Sequence, residues 1–199
     1  MNITEALHQA KFGELGAVEL ATTRRLLAKP EPDTDLYGLL NVIGFAGDPA
    51  RDERLVATYL HRPDDPMLAK IAVMNLSLRW ALLAEYLPHV RAFVQGVVWD
   101  VDQDVQCTAL TAAGFALREW TDPDLLADVI RVAVHPETGV GTRQSAVEAL
   151  HRALGDEAAD PPSRTESAKP GSRWFTETVD LARARYRREI DHGRGKGRR

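Results

Sequence analysis

A helical unit repeats between residues 102 and 155, and this repetition constrains the fold more than any other feature of the sequence. Apolar residues recur at helical spacing in three successive segments, which begin near Asp104, Pro123 and Thr142. The first segment carries two adjacent apolar stripes, whereas the second carries one apolar stripe opposite charged side chains. A helix that is apolar on two flanks is covered on both, and a helix with one stripe keeps a face in water. The pattern predicts helices that pair, one more buried than the other.

The same unit recurs upstream. Leading helices are expected to begin near Asp35, Asp65, Asp104 and Thr142, a spacing of about 30 to 40 residues that is typical of two-helix solenoid repeats. We therefore predict an all-α fold built from stacked helical hairpins.

Two features of these segments resemble the HEAT-repeat family of α-solenoids: an Asp precedes each leading helix, and small residues lie within it. The resemblance covers roughly residues 34–155. It implies a short right-handed α-solenoid of about four HEAT-like helical hairpins.

The remainder of the chain divides by composition. Glycines near residues 13 and 16 break the N-terminal region into a helical pair, and prolines at 161, 162 and 170 deny regular structure to a polar stretch. The predicted organisation is an N-terminal helical cap (1–29), HEAT-like repeats (34–155), a linker (156–172), a closing amphipathic helix (173–192) that ends at Gly193, and a basic disordered tail (193–199).

Helix starts are indicated by Asp-Pro pairs at Asp48, Asp65 and Asp122. An Asp carboxylate accepts hydrogen bonds from free N–H groups at a helix start, and Pro suits the first helical position. By the same reasoning Pro88 is predicted to open a helix after a short helical turn. The helix that begins near Val105 is expected to be capped by Asp104 or Asp102.

Charge is distributed unevenly along the chain. Residues 173–199 hold nine Lys or Arg and four Asp or Glu, a net charge of +5, so with −4 overall residues 1–172 carry −9. An acidic body lacks the clustered cations of a nucleic-acid footprint and favours a basic protein partner. Weak, nonspecific nucleic-acid binding is expected only from the basic C-terminal tail and from Arg183, Arg185, Arg187 and Arg188.

The residue spacings offer few candidates for catalysis or metal binding. Cys107, the single cysteine, lies on an apolar stripe, so burial is predicted for it and an internal disulfide is excluded. The sequence around Asp100 opens like a calcium loop, but Val105 and Thr111 stand where that loop needs Gly and Glu. Histidine pairs at metal-ligand spacing and known catalytic fingerprints are missing from the sequence. We predict no catalytic residue, cofactor or metal.

The N-terminal residues lack the basic and apolar regions of a signal peptide. No apolar run approaches the roughly 18 residues that a membrane span requires. We therefore expect a cytoplasmic protein without membrane association.

Carboxylates recur in the turns that join one predicted hairpin to the next. If the hairpins alternate regularly, these turns lie along one edge of the solenoid and form an acidic ridge with Trp99 beside it. The ridge includes Glu31, Asp104 and Glu137, and its predicted partner-binding residues are Asp33, Asp35, Asp64, Asp65, Trp99, Asp100 and Asp102. The simpler interpretation, which stays open, is that each carboxylate only caps a helix or favours its N-terminal dipole.

The HEAT-like resemblance also implies a competing function. The family includes alkylpurine-DNA glycosylases, whose concave face carries cations, aromatic residues and a catalytic Asp. Trp80, Trp99 and Trp120 are candidates for the aromatic set, although tryptophans near repeat ends more often pack between repeats. No motif here matches the family's catalytic residue, so none is transferred.

Non-catalytic protein binding is the function that the sequence favours, because solenoids offer extended surfaces and no site chemistry stands out. Residues 65–106 also resemble small bacterial HEAT-type proteins with immunity roles in toxin systems. That resemblance implies an inhibitor of a cognate toxin or enzyme. A nucleic-acid-binding protein of the glycosylase type and an assembly scaffold remain the alternatives.

Overall fold

The computed structural model describes residues 2–155 and 169–196, with side chains through residue 192. These residues form ten α-helices and one π-helical segment without a strand, which confirms the all-α class for the described part of the chain. The helices are α1 Ile3–Phe12, α2 Ala17–Ala28, α3 Leu36–Ala46, α4 Pro49–Ala57, α5 Pro66–Val73, α6 Leu83–Gln95, α7 Asp104–Glu119, α8 Pro123–Val134, α9 Val140–Leu154 and α10 Arg173–Lys196, with the π-helical segment at Met74–Arg79.

The leading helices begin close to the predicted positions, at the starts of α3, α5, α7 and α9. The helices cluster into two compact units, Met1–Tyr86 and Leu87–Arg199, and the boundary between them lies within α6. The solenoid arrangement, its handedness and the HEAT resemblance stay predictions. No helix within the described residues combines the length and the apolar character needed to cross a bilayer.

The first unit is centred on α3. Helices α1 and α2 both pack against it, α5 and the π-helical segment contact it, and α2 also contacts α4. Leu39, Leu40 and Ile43 of α3 are fully buried, as are Leu68 of α5 and Leu76 of the π-helical segment. Because α3 is covered on several sides, it matches the predicted role of a buried leading helix.

The approach of α3 to the π-helical segment depends on Gly44. A Cβ atom at this position would lie 2.1 Å from the side-chain oxygen of Asn75, far inside van der Waals contact. Asn75 is itself fully buried and donates a 2.7 Å hydrogen bond to the backbone oxygen of Leu40. A polar residue is therefore held inside this helix crossing with its amide satisfied.

The second unit is centred on α7 and α9, which pack closely along their lengths, with α8 against α9 and α10 against both α8 and α9. Gly114 permits the contact, because a Cβ atom there would lie 2.9 Å from the Cα of Ala149. Phe175, Val179 and Ala182 of α10 are buried, as the predicted amphipathic face requires.

Several predicted helix starts are confirmed at the level of hydrogen bonds. The carboxylates of Asp35, Asp48 and Asp122 accept from backbone N–H groups of α3, α4 and α8 respectively. Asp65 precedes α5, with Pro66 as its first residue, but its side chain makes no capping bond. Capping by Asp-Pro is thus observed at two of the three pairs.

The start of α6 differs from the prediction. The helix begins at Leu83, and Pro88 lies inside it instead of opening it. Leu83, Tyr86, Val90 and Phe93 are all buried, so an apolar stripe continues past the proline. Burial of this stripe outweighs the single backbone hydrogen bond that Pro cannot donate.

The C-terminal ends of α9 and α10 can also be compared with the predicted organisation. Helix α9 ends before Gly155, which has a positive φ of 57° and terminates the helix as predicted. Helix α10 continues through Gly193 to Lys196, so the predicted stop at Gly193 is wrong. A glycine inside a helix costs only about 1 kcal/mol. Residues 156–168 of the predicted linker and 197–199 of the predicted tail lie outside the described residues.

Candidate interaction surfaces

Two predicted partner-binding carboxylates, Asp35 and Asp65, come together in the first unit. With their neighbours in sequence Asp33 and Asp64, we call them the acidic loops. The link is Tyr37, in the first turn of α3, whose hydroxyl lies 2.6 Å from a carboxylate oxygen of Asp65, the residue before α5. Asp35, which caps α3, lies two residues before Tyr37. The residues before α3 and α5 therefore lie close together, while the acidic ridge stays a prediction.

The electrostatic effect of the acidic loops is visible at Tyr37. The pKa of its hydroxyl is raised to about 12, first by the hydrogen bond to Asp65, then by partial burial and by the charges of Asp65 and Asp35. Negative charge opposes the ionisation of a phenol. Tyr37 is 41% exposed, so it presents an aromatic ring to solvent beside these carboxylates.

Cations neutralise the acidic loops only in part. Arg62 forms a 2.8 Å ion pair with Asp64 and lowers the pKa of that carboxyl. Among the described residues, no ion pair is formed by Asp33, Asp35 or Asp65. Asp33 is exposed and has a positive φ of 65°, a conformation that Asp and Asn tolerate better than most residues.

The remaining predicted partner-binding residues, Trp99, Asp100 and Asp102, belong to the second unit. Trp99 is half-buried and packs edge-on against Phe93, with ring centroids 6.0 Å apart. Asp102 is exposed. Asp100 is only 6% exposed, and its carboxylate accepts a 2.8 Å hydrogen bond from the backbone N–H of Gln106 in α7.

The prediction that Asp104 or Asp102 caps this helix is therefore wrong. Asp104 is already the first residue of α7, and Gln103 occupies the capping position with a positive φ of 60° and no capping bond from its side chain. The turn brings Asp100 back over the first helical N–H groups instead. The buried carboxylate of Asp100 is thus bonded to the start of α7, so Asp100 is not part of the proposed partner surface.

The C-terminal arginines fall into two groups. Arg183, Arg187 and Arg188 are exposed on α10. Arg185, by contrast, donates to the backbone oxygens of Ala153 at 2.6 Å and Leu117 at 2.7 Å, and its Nε lies 2.6 Å from Glu189. These oxygens belong to the last turns of α9 and α7, so Arg185 holds α10 in place. Its contact with nucleic acid stays a prediction, for a side chain that is already engaged within the protein.

A second type of surface, which the sequence reasoning missed, pairs an arginine with an exposed phenylalanine. In the first unit the Arg79 guanidinium carbon lies 4.0 Å from the Phe45 ring centroid, and the Lys11 ammonium lies 5.6 Å from the same centroid. Phe45 is 41% exposed. Both cations are within the range of a cation–π interaction.

Two asparagine side chains, Asn75 and the half-buried Asn41, hold Arg79 in place. One guanidinium nitrogen donates to the side-chain oxygens of Asn75 at 2.6 Å and Asn41 at 3.2 Å. The indole N–H of Trp80 donates to the backbone oxygen of Gly44, directly beside Phe45. Burial lowers the pKa of Arg79. The π-helical segment thus positions a partly desolvated cation over an aromatic ring.

The second unit contains the same combination, with the guanidinium carbon of Arg152 lying 4.6 Å from the ring centroid of Phe115, which is 44% exposed. A sequence signal for both pairs exists. The tripeptide Gly-Phe-Ala occurs at 44–46 and at 114–116, and the arginine follows the phenylalanine by 34 or 37 residues. The glycine allows a later segment of the chain to pack closely against it. That segment also carries the arginine that lies over the adjacent phenylalanine.

Other polar sites in the second unit are already engaged. A cavity of about 230 Å³ is lined by amides, but Gln95 donates to Asp128 and Gln106 donates to the backbone oxygen of Val94. Cys107 is half-buried rather than buried, with its sulfur 3.7 Å from the Thr142 hydroxyl. Within residues 2–155 and 169–192, no cluster of three or more His, Cys, Asp or Glu side chains is placed to hold a metal ion.

Comparison of the chain with protein-family models, characterised proteins and solved structures found no match.

Proposed function

We propose that this chain is a non-catalytic, cytoplasmic protein-binding module whose acidic loops contact a basic partner protein. The observation that carries the proposal is the convergence of Asp35 and Asp65 on the exposed ring of Tyr37. Carboxylates around an aromatic anchor suit a cationic partner, because the charge accelerates encounter and the ring supplies contact area.

An inhibitory role follows from the same chemistry. A cationic toxin or enzyme, such as one that acts on nucleic acid, presents the positive surface that the acidic loops complement. Binding there would exclude its anionic substrate by occupying the same surface. The immunity-type resemblance of residues 65–106 supports this form of the proposal, and an assembly scaffold would use the same surface without inhibition.

The nucleic-acid alternative has less support. Arg185, one of its four arginines, is engaged with the backbone of α7 and α9. The three exposed arginines of α10 lie close to Asp180 and Asp191, so the local net charge is small. Protein binding through the acidic loops is therefore the function we favour.

The test begins with capture of partners from the native host, with the products of neighbouring genes as candidates. The association rate of the captured protein is then compared between the wild type and the double variant Asp33→Asn, Asp65→Asn. Asn tolerates the positive φ at position 33, and at position 65 it still accepts the Tyr37 hydroxyl, so fold and caps are preserved.

A matched control removes two exposed carboxylates elsewhere in the first unit, Glu14→Gln and Glu85→Gln. We expect association several-fold slower and less salt-dependent for the acidic-loop variant, and unchanged for the control. Equal rates for both variants would reject the acidic loops as the binding surface. Loss of the partner's own activity on stoichiometric addition separates an inhibitor from a scaffold.

A further inference from the structure

We propose that the surface formed by Lys11, Phe45 and Arg79, here called the arginine–phenylalanine surface, binds a carboxylate-bearing peptide segment of a partner protein. It involves different residues from the acidic loops and does not depend on their function. The occupant is inferred from charge, from the donors left available and from the exposed ring.

The charge of Arg79 is not compensated within the described protein. Three other half-buried arginines form ion pairs: Arg24 with Asp52, Arg91 with Asp122, and Arg185 with Glu189. Arg79 bonds only to neutral amide oxygens, and among the described residues no carboxylate pairs with it. A partly desolvated cation without a counter-ion gains more from an external anion than a solvated one does.

Part of the guanidinium remains available to a ligand. The hydrogen bonds to Asn75 and Asn41 both use Nη1, while Nε and Nη2 have no partner among the described residues and are not enclosed by the protein. Nε and Nη2 form one edge of the planar fork, the edge that accepts a carboxylate through two parallel hydrogen bonds. The amide bonds hold the fork before a ligand arrives, which limits the entropy lost on binding.

The remainder of the surface indicates what adjoins the carboxylate. The exposed ring of Phe45 offers apolar contact beside the fork, and Lys11 supplies a second cation near the same ring. An acidic peptide segment with a carboxylate next to an apolar side chain suits this surface. The carboxylate would bind the Arg79 guanidinium near Lys11, and the apolar side chain would pack on the ring of Phe45.

Net charge favours a short acidic segment over a nucleic acid. Residues 1–172 carry −9 in total, so an extended phosphate backbone would meet repulsion outside the two cations of this surface. A peptide can place one or two carboxylates locally and leave its remaining surface neutral.

The second unit repeats the construction independently. Arg152 lies over the exposed ring of Phe115, and within the described residues it forms no ion pair. Two arginine–phenylalanine pairs therefore occur, and in each the phenylalanine is the middle residue of a Gly-Phe-Ala tripeptide.

The test measures binding of a labelled short peptide in which Glu and Leu are separated by Ser. The first comparison uses the same peptide with Gln in place of Glu. The second uses a single-stranded oligonucleotide of equal charge. We expect the Glu peptide to bind, the Gln peptide not to bind, and the oligonucleotide to bind more weakly than the Glu peptide at the same salt concentration.

Protein variants locate the binding site. Arg79→Gln should weaken binding of the Glu peptide by about tenfold, the value of a charge-assisted bidentate contact. Lys11 is exposed, so Lys11→Gln leaves the core intact and should weaken binding a few-fold. The matched control Arg54→Gln removes an exposed arginine of the same unit and should have no effect. The indole N–H signal of Trp80, beside Phe45, should shift on addition of the peptide to the wild type.

Absence of peptide binding, or equal weakening by Arg54→Gln and Lys11→Gln, would overturn the inference. Tighter binding of the oligonucleotide would assign the surface to nucleic acid instead. Self-association of the protein that Lys11→Gln abolishes would assign it to a second copy of the chain. The Asp33→Asn, Asp65→Asn variant should keep its affinity for the peptide, so failure at one surface is distinguishable from failure at the other.

Discussion

Asp52 is a buried charge that serves two helices at once. It is 1% exposed, accepts bidentate hydrogen bonds from Arg24 of α2 at 2.7 and 2.8 Å, and accepts the backbone N–H of Asp48 at the start of α4. Burial by itself would raise the pKa of Asp52, but the bonds from Arg24 and Asp48 outweigh it and hold the pKa below the usual value. The ionised form is therefore the one that the fold stabilises.

Asp52→Asn should lower the free energy of unfolding by about 1–3 kcal/mol at neutral pH, because it removes the charge and keeps an acceptor. A carboxyl with a depressed folded-state pKa contributes its full stability above the unfolded pKa of about 3.9 and loses it as pH falls through the folded-state pKa. The difference in the free energy of unfolding between wild type and variant, measured in urea, should therefore narrow below about pH 4. A gap that stays constant in acid would contradict the assignment.

Asp100 and Asp102 allow a matched comparison within one turn. Asp100→Ala leaves the backbone N–H of Gln106 without its acceptor and should cost about 1–2 kcal/mol. Asp102→Ala changes an exposed side chain, so we expect an effect within about 0.5 kcal/mol. Chemical denaturation of both variants distinguishes the two roles, and equal costs would show that the hydrogen bond to Gln106 is unimportant.

The close packing of two helices depends on whether a glycine lies at their point of contact. Gly114 places α7 against the backbone of α9, and Gly141 near the start of α9 has no atom within 4 Å of the position of a Cβ. The same substitution is therefore expected to act in opposite directions at the two positions.

Gly114→Ala should destabilise the protein by about 1–3 kcal/mol, since the added methyl overlaps the Ala149 backbone and forces the helices apart. Gly141→Ala should be neutral or stabilise by up to about 1 kcal/mol, because alanine favours helix and meets nothing. Thermal unfolding of the two variants provides the test. A Gly114→Ala variant as stable as Gly141→Ala would mean that α7 and α9 do not approach closely.

Across the whole molecule, the net charge changes sign between the main part of the chain and its C-terminal segment. Residues 1–172 carry −9 and residues 173–199 carry +5. The described part of the basic segment is a helix, and one of its arginines points to backbone oxygens instead of to solvent. Nucleic-acid affinity is therefore expected to be low for a chain with this many arginines.

Binding of the wild type to duplex DNA should be weak, without sequence preference, and should fall steeply as salt is raised. The triple variant Arg183→Gln, Arg187→Gln, Arg188→Gln should weaken it without a change in the far-UV spectrum, although four cations remain in residues 193–199. Fluorescence anisotropy over a salt series measures both properties. Salt-resistant, sequence-selective binding, or release of bases from alkylated DNA, would favour the glycosylase-type alternative.

The positions of the helices were predictable from the sequence because their causes are local. Apolar periodicity marks the buried face, and Asp-Pro pairs or a terminal glycine mark the ends. The leading helices α3, α5, α7 and α9 therefore begin close to the predicted positions. The exceptions are α10, which continues through Gly193, and α6, where burial on both sides of Pro88 outweighs the local stop signal.

The roles of individual polar residues were decided only by the tertiary structure. Arg185 meets a carbonyl 68 residues away, Arg79 meets Asn41 at a separation of 38, and Asp100 folds back over a helix that its neighbours were expected to cap. A charged side chain has the same appearance in the sequence whether it faces water or a distant helix end. Its role depends on which backbone groups the packed helices leave without a partner, and that is determined only when helices far apart in sequence come into contact.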